Sequence, residues 1–473
     1  MADVFLLNRK SFGAAISLPL GVFFMIFMAQ FNLVRGWVFA TMHDDSLLIN
    51  LGGQDPDWLV TRALCWTALF IMSFGAAYRY ARIPHGLMRW GDAMVIFQAT
   101  DPDTITRNRS AVLLLSFLVT IGCACFIVAF SLIAGGSDLS SRVSSAYVYM
   151  LPLVIYSICL SLYGAVLNTS RDGKFMWIVA LLCLFAVISY FGRTVSTFRI
   201  YSITLPALIV GYHLARKKRL LLCAVGMALV FPLITHMGKN RTADNRDLAA
   251  SLATSLSAEA SGGIDDFLLG PYKAAGGDFT TVDIFASVLK QEPGFYPYGL
   301  SWAYALVHFI PRQLWEGKPE NGILYDTSYS MVNRGGQEVS IPYTPGVVGD
   351  AYLEGGGAFI FLIGAMFGCA FKGLDLILGR RKMLFGPTID YCAIYSAFLF
   401  VAFFANRSLP YFIVLYTIIN VAGVYLGRLV IRIAVGFSSG GANPQRRNLA
   451  NLRQIRPIIQ AKPRPAAGQL PEV

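Results

Sequence analysis

Residues 344–368 read TPGVVGDAYLEGGGAFIFLIGAMFG, and the change of character within this stretch decides the fold. Ahead of the glycine triplet stand two acids four residues apart, Asp350 and Glu354. After Gly357 no charge occurs until Lys372. A run of that composition from 357 to 375 matches the roughly 20 apolar residues that cross the hydrocarbon core of a bilayer as a helix. Gly364 and Gly368 within it form a GxxxG pair, which predicts close helix packing.

Similar runs recur on both sides. Candidate spans are 12–34, 58–78, 110–134, 145–168, 175–191, 199–215, 219–237, 357–375, 386–405 and 409–431. The chain is 55% apolar and only 14% charged, far from a soluble domain. The fold expected is all-α: a polytopic integral membrane protein of about ten transmembrane helices. The first run follows Arg9-Lys10 and is too long for a cleaved secretory segment, so it reads as a retained span. Cys65, Cys123, Cys125, Cys159, Cys183, Cys223, Cys369 and Cys392 all fall in apolar runs and read as small core residues.

The net charge of +12 does not indicate a nucleic-acid partner. Its excess sits in every second connection: Arg9 and Lys10, then 79–109, 171–174, 216–219, 372–382 and the tail after Arg428. Cytoplasmic loops carry such cations. Both termini are therefore expected in the cytoplasm, with the long connection 238–356 outside. The expected organisation is helices 1–7 over 1–237, a large outer loop over 238–356, helices 8–10 over 357–431, and a disordered basic tail over 432–473. Within the loop, 246–260, 280–290 and 298–310 have helical spacing, the last with the interfacial aromatics Tyr298, Trp302 and Tyr304.

Polar residues beside the outer ends of the spans are the candidates for function. Arg193 and Arg199 occupy a very short outer loop, where cations are otherwise scarce. They either snorkel or pair with an acid, or they bind phosphate, which suits the planar guanidinium fork. In FIPRQLWEGKP, residues 309–319, Pro311 and Pro319 restrict the backbone around Arg312 and Lys318. Trp315 between them can anchor at the headgroup level or stack on a sugar. Arg407 lies in the last outer turn. Five cations, Arg193, Arg199, Arg312, Lys318 and Arg407, gathered on one side favour an anion over snorkelling. Asp350 and Glu354 share one helix face and could orient an arginine, cap the helix or accept a proton. His43, His236 and His308 read as structural, and no metal-ligand spacing, P-loop or dinucleotide fingerprint occurs.

The FIPRQLWEGKP block, followed by GVVGDAYLEGGGAF at 346–359 and preceded by GRTVSTFR at 192–199, resembles the oligosaccharide repeat-unit polymerases of the Wzy, or O-antigen polymerase, type. The resemblance extends over roughly residues 185–410. It implies transfer of a glycan from polyprenyl diphosphate to a new lipid-linked repeat unit at the periplasmic face, building O-antigen, exopolysaccharide or capsule. Arg193, Arg312, Lys318, Arg199 and Arg407 would hold the diphosphate. Asp350, Glu354 or His308 would receive the hydroxyl proton, with His308 a rival because carboxylates among arginines are weak bases. Trp315 and Tyr352 would meet sugar. Neither a cofactor nor a metal is implied. The implied partners are the polyprenyl-diphosphate-linked oligosaccharide and membrane lipids, with a chain-length regulator and a flippase as further ones.

Three other functions compete. One is a transferase using Asp44 and Asp45 with polyprenyl-phosphate sugars. Another is an O-antigen ligase, and the third is a flippase or transporter of the lipid-linked unit. Transport requires functional charges near the bilayer midplane. The scarcity of ionisable residues within the spans favours chemistry outside.

Overall fold

The computed structural model describes residues 19–42, 55–84, 86, 281–289, 299–307, 315, 329–332, 338–341, 345–385, 389–406 and most positions from 413 to 429. The expected spans between 110 and 237, the helix at 246–260 and the tail lie outside the described residues. The described chain is predominantly helical, and three of its helical stretches are long and apolar enough to cross a membrane: Leu20–Thr41, Asp57–Tyr80 and Gly346–Gly379. Tyr391–Ala405 is a shorter apolar helix.

The first stretch begins as α1 (Leu20–Met28), widens into a π-helical stretch (Ala29–Val34) and continues as α2 (Arg35–Met42). The helix thus runs past Val34, where the apolar run expected at 12–34 stops. π-Turns inside α-helices are uncommon and frequently accompany functional positions. Here Asn32 Nδ2 donates to the Met28 carbonyl at 3.0 Å, giving a buried amide a partner inside an apolar bundle.

The second stretch is α3 (Pro56–Tyr80), started by Asp55, whose carboxylate accepts from the Asp57 N–H at 3.0 Å, with Pro56 at the first helical position. From the segment expected to be an outer loop come α4 (Thr281–Val288) and α5 (Leu300–Val307). These correspond to the helical spacing at 280–290 and 298–310. The departure from helix is a two-stranded antiparallel ribbon, β1 (Tyr329–Val332) against β2 (Glu338–Ile341), with Tyr329 opposite Ile341 and Val332 opposite Glu338. The β-branched residues Val332, Val339 and Ile341 suit that pairing.

α6 (Gly346–Phe385) is broken at Gly355-Gly356, and Gly356 has φ 63°, a value that favours glycine. A short leg, 346–354, therefore precedes a long leg that starts at 357, where the apolar run begins. α7 (Ile389–Ala405) follows.

The long leg of α6 lies against α3 in parallel. Gly357 faces Trp66, Gly364 faces Ser73 and the Phe70 carbonyl, and Gly368 faces the Phe74 carbonyl and Ala77. A methyl group at any of these three positions would collide with its neighbour, which is why the GxxxG pair is needed. The first stretch, α1 to α2, runs antiparallel to α3, since Gly21 of α1 meets Tyr78 and Gly36 of α2 meets Leu64. Aromatic rings fill the seam. Phe24 stacks on Phe74 and Phe371 with centroids 5.0 and 4.9 Å apart, and Phe27 and Phe31 meet Phe403 of α7 edge-on.

One end of this bundle is pinned by two side chains a helical turn apart on α6. Lys372 Nζ donates to the carbonyls of Arg79 and Ala81 at 2.9 and 2.7 Å, satisfying the C-terminal end of α3. Asp375 accepts from the Leu20 and Gly21 N–H groups at 2.6 and 3.0 Å, and from the Tyr78 hydroxyl at 2.7 Å. A cation thus meets a helix C-terminus and an anion a helix N-terminus, each at the end its charge complements.

Candidate functional site

At the opposite end, the short leg of α6 is the hub. It forms a helix because Gly346 (φ 69°) turns the chain after Pro345, and it ends at the glycine break. Gly346 is pressed against the Asn406 carbonyl and Thr281, so a side chain there would displace both. Gly349 faces Phe285 of α4. Tyr352 packs its ring against Trp66 and Phe285, each with centroids 6.0 Å away. The leg is thereby wedged among α3, α4 and the end of α7, and all the hydrophobic residues from Val347 to Leu353 are buried.

Its two acids share this environment. Asp350 is 4% and Glu354 0% exposed, and both make interactions within the fold. The i, i+4 spacing on one helix is as the sequence suggests, whereas the degree of enclosure is not visible in it. Tyr352 is 1% exposed, and its hydroxyl accepts from Arg62 Nη2 at 3.3 Å. Trp315 is 38% exposed. Arg193, Arg199, Arg312, Lys318, Arg407 and His308 lie outside the described residues, as do Asp44 and Asp45. Asn406, the neighbour of Arg407 in sequence, touches the start of the hub.

Two arginines not singled out in the sequence reach this end of the bundle. Arg35 Nε is 2.7 Å from Asp283 Oδ2 in an ion pair with both side chains at 0% exposure. It ties the first membrane-type helix to α4. Arg62 is partly buried and meets Tyr352 from α3. The signal for Arg35 was its place in FNLVRGWVF, a lone cation between apolar residues. For Arg62 it was an arginine inside a candidate span, at 58–78. Unpaired with any charge in the nearby sequence, each required a distant partner.

These arginines qualify the expectation that the spans carry few charges. Arg35, Arg62, Asp350, Glu354 and Asp375 all fall within the three membrane-length stretches. Their depth is informative, however. Arg35 lies six residues before Thr41, and Arg62 five after Asp57, or roughly 7–9 Å along a helix. Asp375 is four residues from Gly379 at the other end. The charges sit near helix ends and not at the centre. Exposed Trp37 and Trp58 mark the same end as Arg35 and Arg62, as aromatic side chains do at a membrane–water interface.

The arrangement defines a helical, membrane-type protein with a buried acidic helix and two arginines at one end of its bundle. Comparison with protein-family models, curated proteins and solved structures finds no match for the chain.

Proposed function

We propose that the chain is an inner-membrane glycosyltransferase that polymerises polyprenyl-diphosphate-linked oligosaccharide units at the periplasmic face. The acceptor hydroxyl attacks the anomeric carbon of the donor's reducing-end sugar. The bond from that carbon to the diphosphate oxygen breaks, and polyprenyl diphosphate leaves with the bonding electrons. The hydroxyl proton passes to an acceptor group, for which Asp350, Glu354 and His308 are the candidates. The leaving group gains negative charge beside a bilayer, where fixed arginines stabilise it better than mobile ions do. Arg193, Arg312 and Lys318, with Arg199 and Arg407, take that part, while Trp315 and Tyr352 lie on the sugar side.

The observation that carries this reading is the position of the Asp350–Glu354 helix. It is buried at one end of the bundle, directly before the break that opens the long leg of α6. Acids held there meet a substrate whose lipid lies in the bilayer and whose sugar lies outside. In its ten-helix form the protein has helices 1–7, the loop 238–356 and helices 8–10.

A lipid-linked-unit flippase is the second reading, for which the buried Arg35 near one end of the Leu20–Thr41 stretch, paired with Asp283 of α4, is the charge inside a membrane-length helix that transport would use. The two separate in the glycan profile of a deletion strain. Loss of the polymer ladder with survival of single-repeat material supports polymerisation. Loss of all surface glycan supports flipping.

A further inference from the structure

We infer, on the reading of α3 and the long leg of α6 as membrane spans, that α5 is a re-entrant helix. It descends into the bundle from the end where α4 and the acidic leg sit, and it reaches the middle of the bilayer. Its inner face joins the aromatic seam, and acyl chains are the partner of its exposed face.

Ring contacts set the depth. Trp302 meets Phe367 edge-on with centroids 6.1 Å apart, and Phe367 lies 6.2 Å from Phe70. Phe70 stands in the middle of Asp57–Tyr80, twelve residues past the exposed Trp58, or roughly 18 Å along the helix. Phe367 is likewise central in the long leg of α6. Gly299 opens α5 with φ 76°, and a Cβ there would lie 3.9 Å from Phe359, near the start of that leg. The helix therefore runs inwards, from the level of Phe359 towards that of Phe367. Helical side chains lean towards the N-terminus of their helix, so the backbone at Trp302 is no shallower than its ring.

The indole separates this arrangement from a helix lying on the surface. A tryptophan that anchors at the headgroup level keeps its N–H among polar groups. The Trp302 N–H is buried and meets no acceptor among the described residues. Ala305, three residues on and so on the same side, is buried as well. Ala303 is exposed, a small apolar surface suited to lipid.

The chain also has to come back. Asp283 of α4, before α5, meets Arg35, and Tyr352 of the acidic leg, after it, meets Arg62, both at the Trp58 end of the bundle. Only residues 293–311, 19 in all, separate Glu292 from Arg312 without Asp, Glu, Lys or Arg. Two full crossings would take about 40 apolar residues, so an entry and exit on one side is what this length allows. Pro293, Pro297 and Pro311 flank α5, and irregular backbone at such depth is tolerated where protein encloses it.

The test uses full-length protein in phosphatidylcholine bilayers, cysteine-free apart from one spin-labelled position. Electron paramagnetic resonance reads depth from relaxation by oxygen against a water-soluble nickel chelate. The exposed positions Trp58→Cys and Met72→Cys give the interfacial and mid-membrane references. Ala303→Cys should read within about 5 Å of Met72 and roughly 15 Å deeper than Trp58. A label at Ala303 in water or at the Trp58 level, with Met72 still deep, overturns the re-entrant helix and leaves the spans standing. Met72 itself in water overturns the spans, and α5 with them. As a second reading, Ala303→Cys should resist a membrane-impermeant maleimide from both sides until detergent denatures the protein. Reaction in intact spheroplasts would count against the buried position. Val307→Cys, one turn further on, carries both readings if Ala303→Cys fails to insert.

Discussion

Arg35 and Asp283, 248 positions apart in sequence, form an ion pair 2.7 Å long from which solvent is excluded on both sides. The pair fastens α4, from the segment expected to be an outer loop, to the first membrane-type helix. Removing one partner strands a buried charge, which costs about 3–5 kcal/mol. Arg35→Met or Asp283→Leu alone should therefore lower thermal stability sharply, and the two together should recover much of the loss. Additive losses in a double-mutant cycle on detergent-solubilised protein would remove the coupling assigned to this pair.

Asp375 holds the opposite end. Asp375→Ala removes the side-chain acceptor for two N–H groups of α1 and for Tyr78, so a loss of about 1–3 kcal/mol is expected. Asp375→Asn keeps one acceptor oxygen and should cost less. Tyr78→Phe, which retains the ring against Phe74, should cost only about 1 kcal/mol. Denaturant unfolding of the three variants checks that order.

Glycines on the long leg of α6 should differ by position. Gly368→Leu drives a side chain into the Phe74 carbonyl and Ala77, costing at least about 1–3 kcal/mol through overpacking. Around Gly373 there is open space. Gly373→Ala should then be neutral or stabilise by up to about 1 kcal/mol, because it restrains the unfolded chain. Similar losses at both sites in a thermal-shift assay would contradict the parallel α3–α6 packing.

Orientation is open to labelling. In a cysteine-free background, Trp315→Cys should react with a membrane-impermeant maleimide in intact spheroplasts. Arg82→Cys, beyond the Lys372 end of α3, should react only after permeabilisation. Labelling of both from one side would break the assigned topology.

The helices were legible where the apolar runs are long. The run 58–78 became α3, 357–375 became the long leg of α6, and 386–405 became α7. The start of the long leg at Gly357 was legible because no charge follows Glu354 until Lys372, whereas the break at Gly355-Gly356 was not. Arg35 was not: counted as the end of an apolar run, it lies inside a helix that continues to Met42. Its burial depends on Asp283, and a partner so distant leaves no local pattern. Arg62 and Asp375 were hidden for the same reason, each being matched to another helix and not to its neighbours in sequence. The enclosure of Asp350 and Glu354 likewise comes from α3, α4 and α7 closing around one short helix.

The most direct measurement is reconstitution. Purified protein in proteoliposomes, supplied only with lipid-linked repeat units, should build a ladder and release one polyprenyl diphosphate per bond formed, with chelator present. Arg193→Ala and Arg312→Ala should insert normally and yield no ladder. Transbilayer movement of the substrate without any glycosidic bond formed, or full ladders from both variants, would contradict the account.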